Sequence, residues 1–507
     1  MHESVKNNQP LLIDSILKNT GKDALRYVPG KLVRGIINFT ALLIYTRIFT
    51  AEDYGNFYLT IAAITILSIL GARWLVESVN RFYAQSKLKS DLDRFYSTIF
   101  YSYVLSTIVV LLLVAGGILI LRGKISDQLL PFLSIGITVY IADSIYGILL
   151  YTLRASLQAK SFSVYEILFA TGKLALSLLI VFLFKMGAIS LLYSIFLVQI
   201  TLVIFLFKKF SLHRRIRWQL VSKQQIKEFF RFGSPLIISS LSMWLLLLCD
   251  RYMLNFFRNP AEVGIYSVSY AVVDRSVALL YTILMLAAYP IIIFTWEEKG
   301  KEITQKLIKD LSRYFFMICI PACLGISVLS KDIFSVLIGK TFEESYKLVP
   351  FFAFCSFCAG WFQYIGKGFE IYKKTMLMAL VIFISGISNL VLNLFLIPQF
   401  GFIGAGIAKS VSYVILIGLG IKLSHSLIAW SLDSITLIRV SFSGLAMTLA
   451  LFIAKDLLPT SLISLIVLLA LGAGFYIVLL LLSKEIKKGE VELVRSYSHR
   501  LFKAVKL

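Results

Sequence analysis

Six cations stand inside stretches of sequence that are otherwise apolar: Lys31, Arg34, Arg73, Lys173, Arg275 and Lys409. An ammonium or guanidinium in that setting can grip an anion, such as a phosphate, by charge-assisted hydrogen bonds. Each charge left facing hydrocarbon costs about 2.5–3.5 kcal/mol on insertion scales, against a whole-domain stability of about 5–15 kcal/mol. These side chains must therefore meet water, protein or one another. Lys31 and Arg34 share a helical face with Tyr27, Asn38 and Tyr45, since the steps between them are three, four or seven residues. Arg73, Glu77 and Arg81 follow at four-residue steps. The two sets predict a basic funnel at one membrane entrance, with snorkelling to headgroups as the alternative for Lys31, Arg73 and Arg81. At 1.5 Å per residue, Lys173, Arg275 and Lys409 lie roughly 12–15 Å from the nearest entry, too deep to snorkel. Arg275 could be bridged by Asp274 or Asp143. Lys173 and Lys409 have no acidic sequence neighbour, so they are expected to contact phosphate or sugar.

Carboxylates occur in the same stretches at Asp143, Glu166, Asp250, Asp274 and Glu370. Asp143 and Asp274 are the candidates for coupling to H⁺ or Na⁺, because a buried carboxylate can change charge with an ion gradient. Neutralisation by a neighbour is the structural alternative, as for Asp250 beside Arg251. Tyr270 and Tyr281 fall near the Asp274 face, where they could stack on sugar rings. The five cysteines, Cys249, Cys319, Cys323, Cys355 and Cys358, all sit in apolar stretches. Cys355 and Cys358 form a CxxC with no histidine or second pair nearby, so small core residues are expected there and no metal site. No P-loop, zincin helix, nucleophile elbow or acidic metal motif is present, and neither an enzyme nor a resident cofactor is expected. The sequon Asn38-Phe39-Thr40 lies inside an apolar stretch, which excludes glycan attachment.

The elements that must position these residues are membrane helices. The chain has 507 residues, 58% hydrophobic and 16% charged, whereas soluble domains run about 45–50% apolar and 25% charged. A bilayer core of about 30 Å needs roughly 20 apolar residues. About fourteen such spans are read, near 26–48, 57–79, 95–121, 129–152, 163–185, 187–208, 229–250, 264–293, 312–330, 348–370, 376–397, 401–421, 435–454 and 460–482. The connections 80–94, 208–231 and 298–313 and the tail from Ser483 are basic, while 50–57, 185–188, 397–401 and 454–460 carry little positive charge. The positive-inside rule then puts both termini in the cytoplasm. The net charge of +23 is dispersed over these loops, which favours orientation and anionic lipid over a nucleic-acid partner. The start MHESVKNNQPLLIDSILKNTGKD lacks the pattern of a cleavable signal peptide.

A repeat is also legible. Arg26-Tyr-Val-Pro29-Gly30 followed by an outer turn at Ala51-Glu52-Asp53-Tyr54-Gly55 is echoed by Arg231-Phe-Gly233-Ser234-Pro235 and a turn at Ala261-Glu262-Val263-Gly264. Both copies enter the membrane from the same side, which predicts an all-α membrane protein with two lobes of about six helices in parallel pseudo-twofold repeat. The expected divisions are a cytoplasmic segment 1–24, an N-lobe 25–225, a C-lobe 226–425, two appended spans in 426–483 and a basic cytoplasmic tail 484–507.

The entry Tyr27-Val-Pro29-Gly30, the turn Thr50-Ala-Glu52-Asp53-Tyr54-Gly55, Asp250-Arg251 followed by Val263-Gly264-Ile265-Tyr266-Ser267, and the run Asn389 to Gly406 together resemble Wzx-type polysaccharide flippases. These belong to the superfamily of multidrug, oligosaccharidyl-lipid and polysaccharide exporters. The resemblance implies translocation of a polyprenyl-pyrophosphate-linked oligosaccharide across a bacterial inner membrane by alternating access, for surface polysaccharide such as lipopolysaccharide or capsule. It further implies membrane lipids and other polysaccharide-assembly membrane proteins as partners. A cation-coupled multidrug exporter and a lipid II flippase are the alternatives within the superfamily. Against the first stands the Lys31 and Arg34 stripe, since a carrier of cations is expected to line its cavity with carboxylates. A polymerase or ligase is disfavoured by the short outer connections.

Overall fold

The computed structural model describes residues 28–121, 123, 126–428 and 433–486, which are helical almost throughout. The expected segment 1–24, Tyr27 and most of the expected tail lie outside the described residues. Hydrocarbon offers the backbone no hydrogen bonds, so each apolar run must satisfy its own amides by coiling. In chain order the long helices are α1 Val28–Ile48, α2 Ala51–Gly71, α3 Arg73–Leu88, α4 Leu92–Leu121, α5 Leu129–Ala155, α6 Ala159–Phe184, α7 Ile189–Lys209 and α8 Lys223–Phe257. They continue with α9 Pro260–Val273, a π-helical turn Asp274–Ala278, α10 Leu279–Val328, α11 Val349–Ile365, α12 Thr375–His425, α13 Ser434–Lys455 and α14 Leu462–Leu482.

Among the described residues, 11 helical stretches are long and apolar enough to cross a membrane. Two of these, Pro260–Val328 with 69 residues and Thr375–His425 with 51, far exceed what a bilayer needs. Each holds one glycine outside the helical region, Gly300 at φ 74° and Gly401 at φ 56°. Only a residue without Cβ takes up that positive φ at little cost, and each long helix kinks at its glycine. α1, which carries Lys31, Arg34 and Arg47, is not one of the 11.

The expected turns at Ala51 and Ala261 are already helical. Thr50 and Asn259 act as N-caps, one and two residues earlier, accepting from the amides of Asp53 and Glu262. Both are good capping residues, and they start the helices at the membrane edge instead of leaving a loop there. α2 and α9 then cross at unusually close range. A methyl added to Gly55 would lie 1.8 Å from the carbonyl oxygen of Pro260, and one added to Gly264 would lie 2.1 Å from that of Ala51. Each glycine thus faces the residue that begins the other helix. The same end is tied twice more: Glu262 accepts from the Phe402 amide at 2.8 Å, and Gly339 lies against the carbonyl of Thr46.

The opposite, basic end has its own crossing. Gly233 of α8 sits against Trp74 of α3, Ser78 donates to the Phe229 carbonyl at 3.2 Å, and the rings of Phe82 and Phe229 are 5.2 Å apart. α13 packs on α10, where Gly444 admits Leu324 and Ile320. The buried pair Arg313 and Glu485, 2.6 Å apart, ties α10 to the end of α14, and Thr436 and Arg439 of α13 join it.

The α2–α9 crossing yields the first prediction. Gly55→Ala forces a methyl onto a carbonyl and is expected to destabilise by about 1–3 kcal/mol. Gly116→Ala, with nothing within 4 Å of the added carbon, is expected to be neutral or stabilising by up to about 1 kcal/mol. Thermal unfolding of the purified proteins in detergent measures both; equal effects would contradict the close crossing.

Candidate functional site

The polar face of α1 is a ladder against α6. Arg34 pairs with Glu166, Lys173 donates to the Asn38 side chain at 3.3 Å, and the hydroxyls of Tyr45 and Ser177 are 2.6 Å apart. Arg34 to Tyr45 on α1 and Glu166 to Ser177 on α6 cover the same length of helix, so one polar stripe answers the other. Lys31 continues the face and is partly exposed. Arg73 is half-exposed and pairs with Glu77 at 2.9 Å, one turn along its own helix. The funnel-lining stripe expected from sequence is therefore largely taken up in helix pairing, and its partner Glu166 lies 132 residues away from Arg34.

Arg275 approaches the same place from the other half of the chain. Its guanidinium donates to the Asn38 carbonyl at 2.6 Å. Lys173 and Arg275 thus converge on one residue of α1, and they line a cavity of about 290 Å³ with Asp143, Gln199, Tyr45 and Tyr58. Among the described residues neither cation forms an ion pair with a carboxylate. The bridge from Arg275 to Asp274 or Asp143 expected as an alternative is not formed. A π turn begins at Asp274, and consecutive helical residues point roughly 100° apart, so the two side chains enter different cavities. Asp143 instead accepts from the Gln199 amide at 2.7 Å and from Ser68 at 3.3 Å. π turns interrupt helices mainly where a side chain has to be re-aimed, and nothing in the residue pattern announced this one.

Lys409 corrects a second expectation. It is 0% exposed and pairs at 2.6 Å with Asp250, also 0% exposed. The acid absent from its sequence neighbourhood is supplied by α8, 159 residues earlier, so Lys409 is closed off from any open cavity. Asp250 is in turn not neutralised by Arg251. That guanidinium donates to Ser267 and lies 5.6 Å and 5.3 Å from the rings of Tyr58 and Tyr270, a cation–π setting.

Asp274 opens into a larger cavity of about 450 Å³ in the second half, lined also by Tyr270, Tyr281, Gln363, Lys367 and Glu370. The two tyrosines lie beside Asp274 as their spacing suggested. Lys367 and Glu370 are 2.8 Å apart, and the Lys367 ammonium sits 4.4 Å from the Tyr289 ring centre. Lys367 was missed in the sequence reading, and Arg251 was read only as a neutraliser of Asp250. The three-residue spacing of Lys367 and Glu370 was the available sign of a pair on one helical face. All five cysteines are buried and unpaired, and Cys355 approaches Ser410 at 3.7 Å. The arrangement as a whole suits an anion held from both halves beside a wide cavity rich in tyrosine.

The chain matches known proteins in several ways. It is 23% identical over 278 residues to the probable low-salt glycan biosynthesis flippase of Haloferax volcanii, covering 53% of this chain and 57% of that protein. Its fold is similar to that of the lipid II flippase MurJ in an inward closed conformation, with a TM-score of 0.75 at 12% identity over 91% of this chain and 99% of that one. It is similar also to an inward-facing multidrug resistance MATE transporter of the MOP superfamily, with a TM-score of 0.58 at 13% identity over 78% and 95% of the two chains. The fold is that of a multi-pass transporter of this kind. The profile of the polysaccharide biosynthesis protein family matches residues 20–296, more than half of the sequence, and the chain belongs to that family.

Proposed function

We propose that the protein flips a polyprenyl-pyrophosphate-linked oligosaccharide across the cytoplasmic membrane by alternating access. The observation that carries the reading is the convergence of Lys173 and Arg275, one from each half, on Asn38, with neither ion-paired to a carboxylate among the described residues. Two cations so placed can hold a pyrophosphate, whereas a carrier of cationic drugs has no use for them there. The tyrosine-lined cavity beside Asp274 takes sugar rings, and the polyprenyl tail stays in lipid. On this reading α1 is a span despite its charges, and the bends at Gly300 and Gly401 divide two long helices, which makes about fourteen crossings. The reciprocal contacts Gly55–Pro260 and Gly264–Ala51 support two lobes related by a pseudo-twofold axis. The loops near Lys87, Lys208 and Lys299 are cytoplasmic, as are both termini. Asp143, held by Gln199 and Ser68 inside the cavity, is the carboxylate at which H⁺ or Na⁺ coupling takes place.

Complementation of a strain lacking its own polysaccharide flippase tests the substrate. Wild type is expected to restore surface glycan, and Lys173→Ala or Arg275→Ala at matched membrane levels to export roughly tenfold to a hundredfold less. That range corresponds to one charge-assisted hydrogen bond of about 1.5–3 kcal/mol. Normal export by both variants, or drug efflux by the wild type, would refute the reading. For the coupling ion, Asp143→Asn is expected to remove the sensitivity of export to ionophores that collapse the proton or sodium gradient. Unchanged sensitivity in the variant moves the coupling elsewhere.

A further inference from the structure

Each of the three ammonium hydrogens of Lys409 has an oxygen to meet. Asp250 Oδ2 lies at 2.6 Å, the Leu247 carbonyl at 3.1 Å and the Leu246 carbonyl at 3.2 Å. In an ordinary lysine–aspartate bridge the remaining hydrogens turn to water; here the side chain is wholly buried and the two carbonyls take that place. One carboxylate with backbone carbonyls is the donor set by which proteins hold hard, oxygen-seeking cations. The cradle is also held rigid. Tyr266 donates to Asp250 Oδ2 at 2.8 Å and Asn393 donates to Oδ1 at 2.8 Å. Asn393 is itself 0% exposed, and its own side-chain oxygen is left without a donor. The ammonium therefore has three oxygens of α8 around it, more than an ion pair requires, and one of them, the Leu247 carbonyl, also accepts from the Arg251 guanidinium at 3.2 Å.

We propose that this centre is a monovalent-cation site whose occupant is tethered: the Lys409 ammonium stands where a free ion would otherwise bind, and the protein needs no free ion at Asp250. It follows that removing the ammonium while leaving the carboxylate converts the centre into a site for an external cation. Ammonium, methylammonium and potassium, closest to the native occupant in size, should fill it ahead of sodium. The readout is stability and not export, so this proposal and the transport reading can fail separately.

The experiment is thermal unfolding of the purified full-length protein in detergent, with ammonium, methylammonium, potassium or sodium chloride replacing choline chloride at constant ionic strength. Wild type is expected to melt at the same temperature in all of them. Lys409→Ala is expected to melt about 5 °C or more lower in choline, because a buried carboxylate has lost its partner. Ammonium, methylammonium or potassium should restore at least half of that difference along a saturating curve, and Lys409→Ala with Asp250→Asn should respond to none. Where Lys409→Ala does not reach the membrane, Lys409→Gln, which keeps the side-chain length and drops the charge, takes its place. Loss of both variants whatever cation is added to the growth and extraction media overturns the proposal. So does a single variant indifferent to every cation, a double variant that responds equally, or a wild-type shift in sodium or potassium that Asp250→Asn removes.

Discussion

A charge inside a hydrocarbon-embedded bundle has to be answered by the bundle itself, and this chain answers its charges in two distinct ways. In the second half the answer is complete: Asp250 receives Lys409, Tyr266 and Asn393, and Lys409 uses its other hydrogens on two carbonyls. Such a centre adds little net stability over an apolar filling of the same volume, yet losing one partner strands the other at a cost of about 3–5 kcal/mol. It fixes which face of α12 meets α8. At the boundary between the halves the answer is partial. Lys173 and Arg275 are satisfied by one asparagine, through a side-chain oxygen and a carbonyl. Neutral acceptors hold a cation without cancelling its charge, so the positive potential remains for an anion to use.

That division of labour depends on how the halves touch. They meet at both ends, through Gly55 and Gly264 at one and through Gly233 and Trp74 at the other. Between these contacts lie Arg275, Asn38 and the cavity of about 290 Å³. Glycine crossings hold by backbone proximity and dispersion, with few side chains to rearrange. Polar bonds accompany both crossings, Ser78 to the Phe229 carbonyl at one end and the Gly339 amide to Thr46 at the other. The Arg275 to Asn38 bond sits at mid-depth on the path between them. A group that takes over this bond changes the balance between the halves, which is how differential binding shifts a two-state equilibrium.

The helical architecture was legible because apolar runs of fixed length leave few alternatives, and the span positions read from the sequence lie within several residues of the helices. Gly55 and Gly264, read as corresponding positions of a repeat, each admit the backbone of the other helix. Pairing across the membrane was not legible. Arg34 to Glu166 and Lys409 to Asp250 join residues 132 and 159 apart, and no local spacing encodes a contact set by how spans pack. Asp274 and Arg275 failed differently. A bridge between them was the alternative reading, and adjacent helical positions instead send the two side chains into different cavities. Thr50 and Asn259 were read as loop, although Thr and Asn ahead of an acidic residue three positions on are a helix-start signal.

The contrast between the halves also bears on which one moves charge. Lys409 cannot leave Asp250 without exposing a buried carboxylate, and Tyr266 and Asn393 would both lose their acceptor. In this structure the second half therefore holds Asp250 in a closed ion pair with Lys409. The first half holds Asp143 by Gln199 and Ser68 alone, two neutral donors beside a cavity. Among the described residues no cation is paired with that carboxylate. The same comparison separates the cations. Lys409, Arg34 and Arg73 are each paired with an acid, and Arg251 is held by Ser267, a backbone carbonyl and tyrosine rings. Among the described residues Lys173 and Arg275 share Asn38 beside an open cavity with no carboxylate paired to either.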